Sequence, residues 1–381
     1  MLRGQLVGGA KLGTTNVIRL FLCGDVMIGR GIDQVTPVSV DPQLFEPSVQ
    51  SAESYVELAV MANGPIPRPV APEYVWGAAL GVLGDLAPDV RIVNLETAVT
   101  TSPHAWPGKE IHYRTHPANV AVLNAAGIDC CVLANNHALD WGYDGLVETL
   151  DSLHDAGVAT AGAGRTVAEA LAPTVLEPAA GRVIVMALAS TTSGTPLEWA
   201  AGPERPGVNV MNGWSRDVVT TIAAQLRDIR RPTDVVVASI HWGTNWGYDV
   251  PAAQRRLAHE LIDVGGVDVV FGHSSHHPRP IELYRGRLIL YGCGDFITDY
   301  EGIPGHEQFR NDLLLGYCAA LDPATGQTTE LTMAPFRLRR FQLTRSSEAD
   351  ARWLADSLDR HSRPFGVGVE LGPDLLLRAR P

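Results

Sequence analysis

Long apolar runs are missing from this chain. No stretch of about 18 consecutive apolar residues occurs, so no transmembrane helix is expected. Basic runs are missing too. Lys and Arg number 30 against 42 Asp and Glu, a formal net charge of -12. With no basic stripe to offset that balance, a nucleic-acid or anionic-membrane partner is excluded. A small anionic substrate stays compatible, because a metal site can invert the local field. Cysteine is scarce: Cys23, Cys130, Cys131, Cys293 and Cys318 are scattered, with no CxxC among them. Most lie in apolar runs and read as reduced, buried small hydrophobes. That fits a reducing compartment and a cytoplasmic location. The start of the chain lacks the pattern of a signal peptide, since the apolar run Val17–Cys23 is broken by Arg19 and leads straight into a strand. Internal repeats and low-complexity tracts are absent as well.

What is present is an alternation of short, β-branched apolar runs with helical patterns. "NVIRLFLCGD", "DVRIVNLET", "GIDCCVLANN", "RVIVMALAST", "TDVVVASIHWG" and "VDVVFGHS" read as interior strands bounded by Gly, Asp and Pro. Between them, "PANVAVLNAAG" and "DGLVETLDSLHDAG" read as helices closed by Gly127 and Gly157. "SRDVVTTIAAQLRDIR" starts a helix with Ser215 as a candidate N-cap, and "PAAQRRLAHELIDVGG" starts another with Pro251 in its first turn. After Gly272 the pattern changes to strands without helices between them. "RPIELYRGRLILYGCGDFI" reads as two strands joined at Arg285–Gly286. "DLLLGYCAALD" and "ELTMAPFRLRRFQLTR" read as two more, the second interrupted by Pro335 at an edge or bulge. The expectation is an α/β protein with two packed mixed sheets and helices outside. It is expected to form a single domain over 1–381, with a Pro/Ser-rich insertion or lid at about 36–74 and a C-terminal helix plus tail at about 346–381.

The polar residues gather where the strands end. "CGDVMIGR" supplies Asp25 and Arg30, "VNLET" supplies Asn94 and Glu96, and "LANNHALDWG" supplies Asn135, Asn136, His137 and Asp140. "SIHWG" supplies His241, and "GHSSHH" supplies His273, His276 and His277. Ligands in α/β sheets bind beyond the carboxyl ends of strands. Oxygen and imidazole donors without thiolates suit divalent Mn, Fe, Zn or Co. Two carboxylates, an amide and three imidazoles exceed the needs of one ion, so one or two divalent ions are expected, a close pair using them all. Taken one at a time, each residue has a structural reading: Asp25 as a turn former, Asn135-Asn136 as a left-handed turn, His137 and His241 as packed core histidines.

The ordered blocks "GDVMIGR", "NLET", "NNHALDWG", "HWG" and "GHSSH…PIELYRGRLILYGCGDFI" resemble the CapA-type poly-gamma-glutamate capsule-synthesis family, within the calcineurin-like metallophosphoesterase superfamily. The resemblance runs from about Val17 to Asp299. It implies a four-layer α/β/β/α sandwich and a binuclear metal centre. By that resemblance Asp25 and His276 hold one metal, Glu96 bridges, and Asn136, His241 and His273 hold the second. His137 is implied as the general acid, with Asp140 orienting it. Met27 stands where the wider superfamily has a histidine, which thins the first metal's shell. The last block spaces its histidines by two residues rather than one, leaving His276 and His277 as alternatives, with His276 preferred.

"WPGKEIHYRTHPANV" offers Lys109, His112, Arg114 and His116, and the strand after residue 18 is followed by Arg30. Arg30, Lys109 and Arg114 are candidates to meet an anionic substrate, glutamyl or phosphorylated; a solvated loop is the plain alternative. The expected activity is metal-dependent hydrolysis of a phosphoester by an activated water. The alternatives are a metal-dependent hydrolase or synthetase of gamma-glutamyl amides in poly-gamma-glutamate or peptide metabolism, and a non-catalytic polyanion-binding scaffold.

Overall fold

The computed structural model describes residues 17–301 and 303–380. The reading of the first sixteen residues as no leader lies outside them. Ile18–Val26 is the pivot of a ten-stranded sheet. On one side it runs parallel to Val90–Leu95, then Cys130–Val132, then Ala159–Ala161. On the other it runs antiparallel to Leu313–Asp322, which pairs with Gln327–Arg339. The second sheet has seven strands, with Arg182–Ser190, Asp234–His241, Val269–His273 and Arg287–Leu290 in parallel and Ile281–Tyr284 closing an antiparallel hairpin.

The period of two along each strand builds four layers. Ile18, Leu20 and Leu22 turn one way, into a core shared with Val183, Val185, Val235, Val237, Val269 and Phe271 of the second sheet. Phe21 and Cys23 turn the other way, against Val56, Val82, Leu83, Leu146 and Leu150 of the outer helices. In the second sheet Ile184, Met186, Val236, Ala238 and Ile240 face outward onto Ile222, Leu226, Leu257 and Leu261, from the helices Asp217–Ile229 and Ala252–Asp263. Strands covered on both faces have no polar side to show, which is why they read as continuous apolar runs. The chain is thus the expected α/β/β/α sandwich, and all five cysteines are buried in it.

Several details differ from the sequence reading. Pro335 neither ends nor bulges its strand: Gln327–Arg339 is continuous, with Pro335 opposite Leu315. Its other side falls between the end of pairing with Leu377–Arg380, at Met333, and the start of pairing with Gln342–Arg345, at Phe336, so its missing N–H breaks no ladder there. Ser215 precedes the helix by one residue more than a cap, though its Oγ accepts from Asp217 N at 3.3 Å, and Pro251 is the cap itself. The helix Glu348–Ser362 closes one side of the sandwich with Leu354 and Leu358. The segment after it, read as a tail, adds the strands Gly368–Leu371 and Leu377–Arg380 to the first sheet. Within 36–74 lies the helix Glu53–Asn63, whose Tyr55 sits beneath Arg30. Among the described residues no helix is long and apolar enough to cross a membrane.

Candidate metal centre

The parallel strands of both sheets end at the same place. Asp25 closes the apolar part of its strand at 1% exposure, and its Oδ1 accepts from Asn94 Nδ2 at 2.7 Å. Asn94 Oδ1 in turn accepts from Asn135 Nδ2 at 3.1 Å, and Asn135 Oδ1 accepts from His137 N at 3.0 Å. This buried amide relay ties three neighbouring strand ends together. His241 and His273 are register partners at the end of the second sheet, their rings stacked at 6.4 Å. They face the first sheet: His241 Nε2 is 3.6 Å from Glu96 Oε1, and His273 Nδ1 is 3.6 Å from Asp25 Oδ1.

Donor atoms of Asp25, Glu96 and His241 all lie within 4.8 Å of one another. Asp25 Oδ2, Asn136 Oδ1, His241 Nδ1, His273 Nδ1 and Asp295 Oδ2 are buried without a hydrogen-bond partner. Orphaned polar atoms are costly and rare in proteins. A group of them at one strand-end cluster, on oxygen and imidazole donors, fits a divalent cation. Burial lowers His241 well below the ordinary histidine range and His273 to about 3, so both rings are neutral near pH 7, the form that binds metal. Burial, then the nearby Asp295 carboxylate, lifts Asp25 to about 7 despite the Asn94 hydrogen bond. Glu96 is raised well above its usual range by burial and by Asp25. Without a cation, this site is too negative to keep all its carboxylates ionised.

His137 faces the same space, its Nε2 3.9 Å from Glu96 Oε1. Its Nδ1 lies 2.7 Å from Asp140 Oδ2 and 3.0 Å from Lys109 Nζ, and its ring stacks on Tyr113 at 4.0 Å. Burial holds it down at about 4, against the pull of Asp140. Asp140 is kept below the carboxylate range, burial notwithstanding, by His137 and Lys109, and it also accepts from Tyr113 N at 2.6 Å. Of the two alternatives in the last block, His277 spends both ring nitrogens on backbone, with Gly247 N at 3.1 Å and Pro278 O at 3.1 Å. His276 is engaged at both nitrogens as well, Nδ1 with Asp295 Oδ1 at 3.0 Å and Nε2 with Asn245 Nδ2 at 3.3 Å, and the Asp295 carboxylate raises it in spite of burial.

The three cationic candidates do not stand free for a substrate. Arg30 is 4% exposed and grips Asp299 through Nε and Nη2 and Glu46 through Nη1 at 2.8 Å. Arg114 donates to Ser102 O at 2.6 Å and Asp41 O at 3.0 Å and lies on Trp141. Lys109 joins the His137–Asp140 pair, also donating to Asn136 O at 2.6 Å. A lone cation in a loop looks the same in sequence whether its partner is a ligand or a carboxylate 269 positions away. Beside the centre a cavity of about 260 Å³ is lined by Arg30, Tyr113, Trp246, His276, Tyr300 and His306. The reading missed Asp295, although "CGD" stands at both 23–25 and 293–295, and Ser239, whose Oγ meets His273 Nε2 at 2.9 Å. Met27 is buried at 1% exposure.

Residues 19–300 match the family model described as bacterial capsule synthesis protein PGA_cap. A probable polyglutamine synthesis accessory protein of Mycobacterium tuberculosis (strain H37Rv) is 46% identical over 371 residues, 97% of each chain. The PGA biosynthesis protein CapA of Bacillus subtilis is 28% identical over 308 residues, 81% of this chain and 69% of its own. A solved phosphatase structure from Mycoplasma pneumoniae, 11% identical, overlaps 85% of this chain and 95% of its own at a TM-score of 0.46.

Proposed function

Because the chain belongs to the bacterial capsule synthesis PGA_cap family, we propose that it is a metal-dependent hydrolase working as one domain, with its reaction at the shared end of the two sheets. The observation that carries this reading is the set of unpartnered buried atoms on Asp25, His241 and His273, with Glu96 grouped with Asp25 and His241, and His273 3.6 Å from Asp25. Asp25, Glu96, Asn136, His241, His273 and His276 would hold one or two divalent ions. Such ions supply Lewis-acid polarisation and an acidified water as nucleophile. The protein's own contribution is preorganisation. The amide relay from Asn135 through Asn94 fixes Asp25, and Ser239 fixes His273. Asp140 and Lys109 pin His137 at Nδ1, which leaves Nε2 free to take up a proton in the reaction and pass it to a departing oxygen or nitrogen. The cavity beside His276 is sized for a small leaving group. Five buried thiols are in keeping with a reducing, cytoplasmic setting.

A phosphoester substrate follows from the metallophosphoesterase resemblance. The relatives are named for polyglutamine synthesis and PGA biosynthesis, and with the poly-gamma-glutamate resemblance this favours a second bond type, a gamma-glutamyl amide, cleaved or formed by the same groups. Elemental analysis of the purified protein, paired with p-nitrophenyl phosphate, bis-p-nitrophenyl phosphate and gamma-glutamyl peptides, tests both. Metal with phosphoester turnover supports the first reading, and metal with turnover of the glutamyl peptides alone supports the second. Neither metal nor turnover leaves an accessory, polyanion-binding scaffold.

A further inference from the structure

Asp295 stands outside the ligand set read from the sequence. It opens the short strand Asp295–Ile297, which pairs in parallel with Ile18–Val26, Asp25 and Asp295 being register partners. Asp25 N donates to Gly294 O at 3.0 Å, and a Cβ on Gly24 would lie 1.6 Å from that same oxygen. The two Cys-Gly-Asp segments are therefore pressed backbone to backbone, with no side chain between their glycines. Both aspartates are almost wholly buried, at 1% and 2% exposure. Oδ1 of each is engaged, with Asn94 for Asp25 at 2.7 Å and with His276 for Asp295 at 3.0 Å. Oδ2 of each is buried with no partner. Two like charges on paired strands, each with an unsatisfied oxygen, are strongly unfavourable without a cation to share.

We propose that Asp295 is itself a ligand of the metal centre, offering Oδ2 beside Asp25, so that one cation position is held by two aspartates with His276 adjacent. The inference rests on the metal-dependent reading above. It adds a hard oxygen donor, which shifts that position toward Mn²⁺-like ions and away from thiophilic ones. A merely structural role, holding His276, predicts something different. Asp295→Asn is isosteric and keeps an acceptor for His276. It also removes one of the two like charges.

The test is titration of the metal-stripped full-length protein with Mn²⁺, followed by calorimetry and by the electron paramagnetic resonance signal of free Mn²⁺, alongside melting of the stripped protein. Wild type should bind Mn²⁺. Asp295→Asn should lose at least about tenfold in affinity at one position, in wild type and again in a His276→Ala background, with a melting temperature of the stripped protein equal to or above its parent. A loss that vanishes once His276 is removed overturns the ligand role in favour of one exerted through His276. Unchanged affinity and stoichiometry in Asp295→Asn overturns the ligand role alone. Weaker binding with a lowered melting temperature of the stripped protein also overturns it, in favour of the structural role. Wild type that takes up no Mn²⁺ or other divalent ion removes the metal-dependent reading, and the role of Asp295 with it.

Discussion

His273 has one ring nitrogen on Ser239 Oγ and the other buried and unpartnered. An outer partner of that kind aims a ligating imidazole and fixes its tautomer. Ser239→Ala should weaken divalent-ion binding by about 10- to 100-fold while the protein stays folded, as measured by calorimetric titration and circular dichroism. His137 points its Nε2 toward Glu96, at 3.9 Å, and is not among the orphaned donors. His137→Ala should leave metal content intact and slow turnover of a poor leaving group by about 10² to 10⁴, with a smaller effect on a p-nitrophenyl ester. Asp25 sets a pH dependence whose sign can be worked out. Its folded-state pKa is about 7 against an ordinary 3.8. In the metal-free protein the protonated carboxyl therefore contributes stability at low pH, and that contribution is lost as pH rises from 3.8 through about 7. Asp25→Asn should flatten that slope in urea unfolding followed between pH 5 and pH 8; an identical slope would contradict the assignment. The same carboxyl must shed its proton to bind a cation, so metal affinity of the wild type should climb over that interval. Residue identities at strand ends were legible in the sequence. The occupations of Arg30, Lys109 and Arg114 were not, because their partners Asp299, Asp140 and the Ser102 and Asp41 carbonyls are chosen by the fold.

Elements bring these residues into register. Val90–Leu95 and Ile18–Val26 run parallel, so Asp25 meets Asn94 across the pair. Asp234–His241 and Val269–His273 do the same for the two histidines. Parallel strands buried on both faces announce themselves as apolar runs with a polar full stop, and this made most of the candidate site's residues readable without a structure. Asp295 escaped because its strand is three residues long and sits inside an apolar hairpin block, with no run of its own to end. The contact that places it depends on glycine. Gly24→Ala would drive a methyl into the Gly294 carbonyl, which is backbone and cannot swing aside. We expect a loss of at least about 3 kcal/mol in stability, read by denaturant unfolding, together with lost metal binding. Unaltered stability would mean that the two Cys-Gly-Asp segments do not touch.

The whole molecule is a sandwich whose inner core is made by both sheets, and the proposed metal centre lies where that core reaches the strand ends. The layered architecture followed from period-two burial, while the choice of which strand lies beside which came only from long-range pairing, such as Ile18–Val26 with Leu313–Asp322. Glu96 from one sheet and His241 from the other approach to 3.6 Å, so a cation held by both would fasten the sheets together at this end. Calorimetric titration of divalent ions into metal-stripped wild type, Glu96→Ala and His241→Ala near pH 7.5 tests this most directly. One or two equivalents bound by wild type, with a binding step abolished or weakened at least about tenfold in each variant, is the predicted result. Binding that is absent from wild type, or equal in all three proteins, would contradict the account.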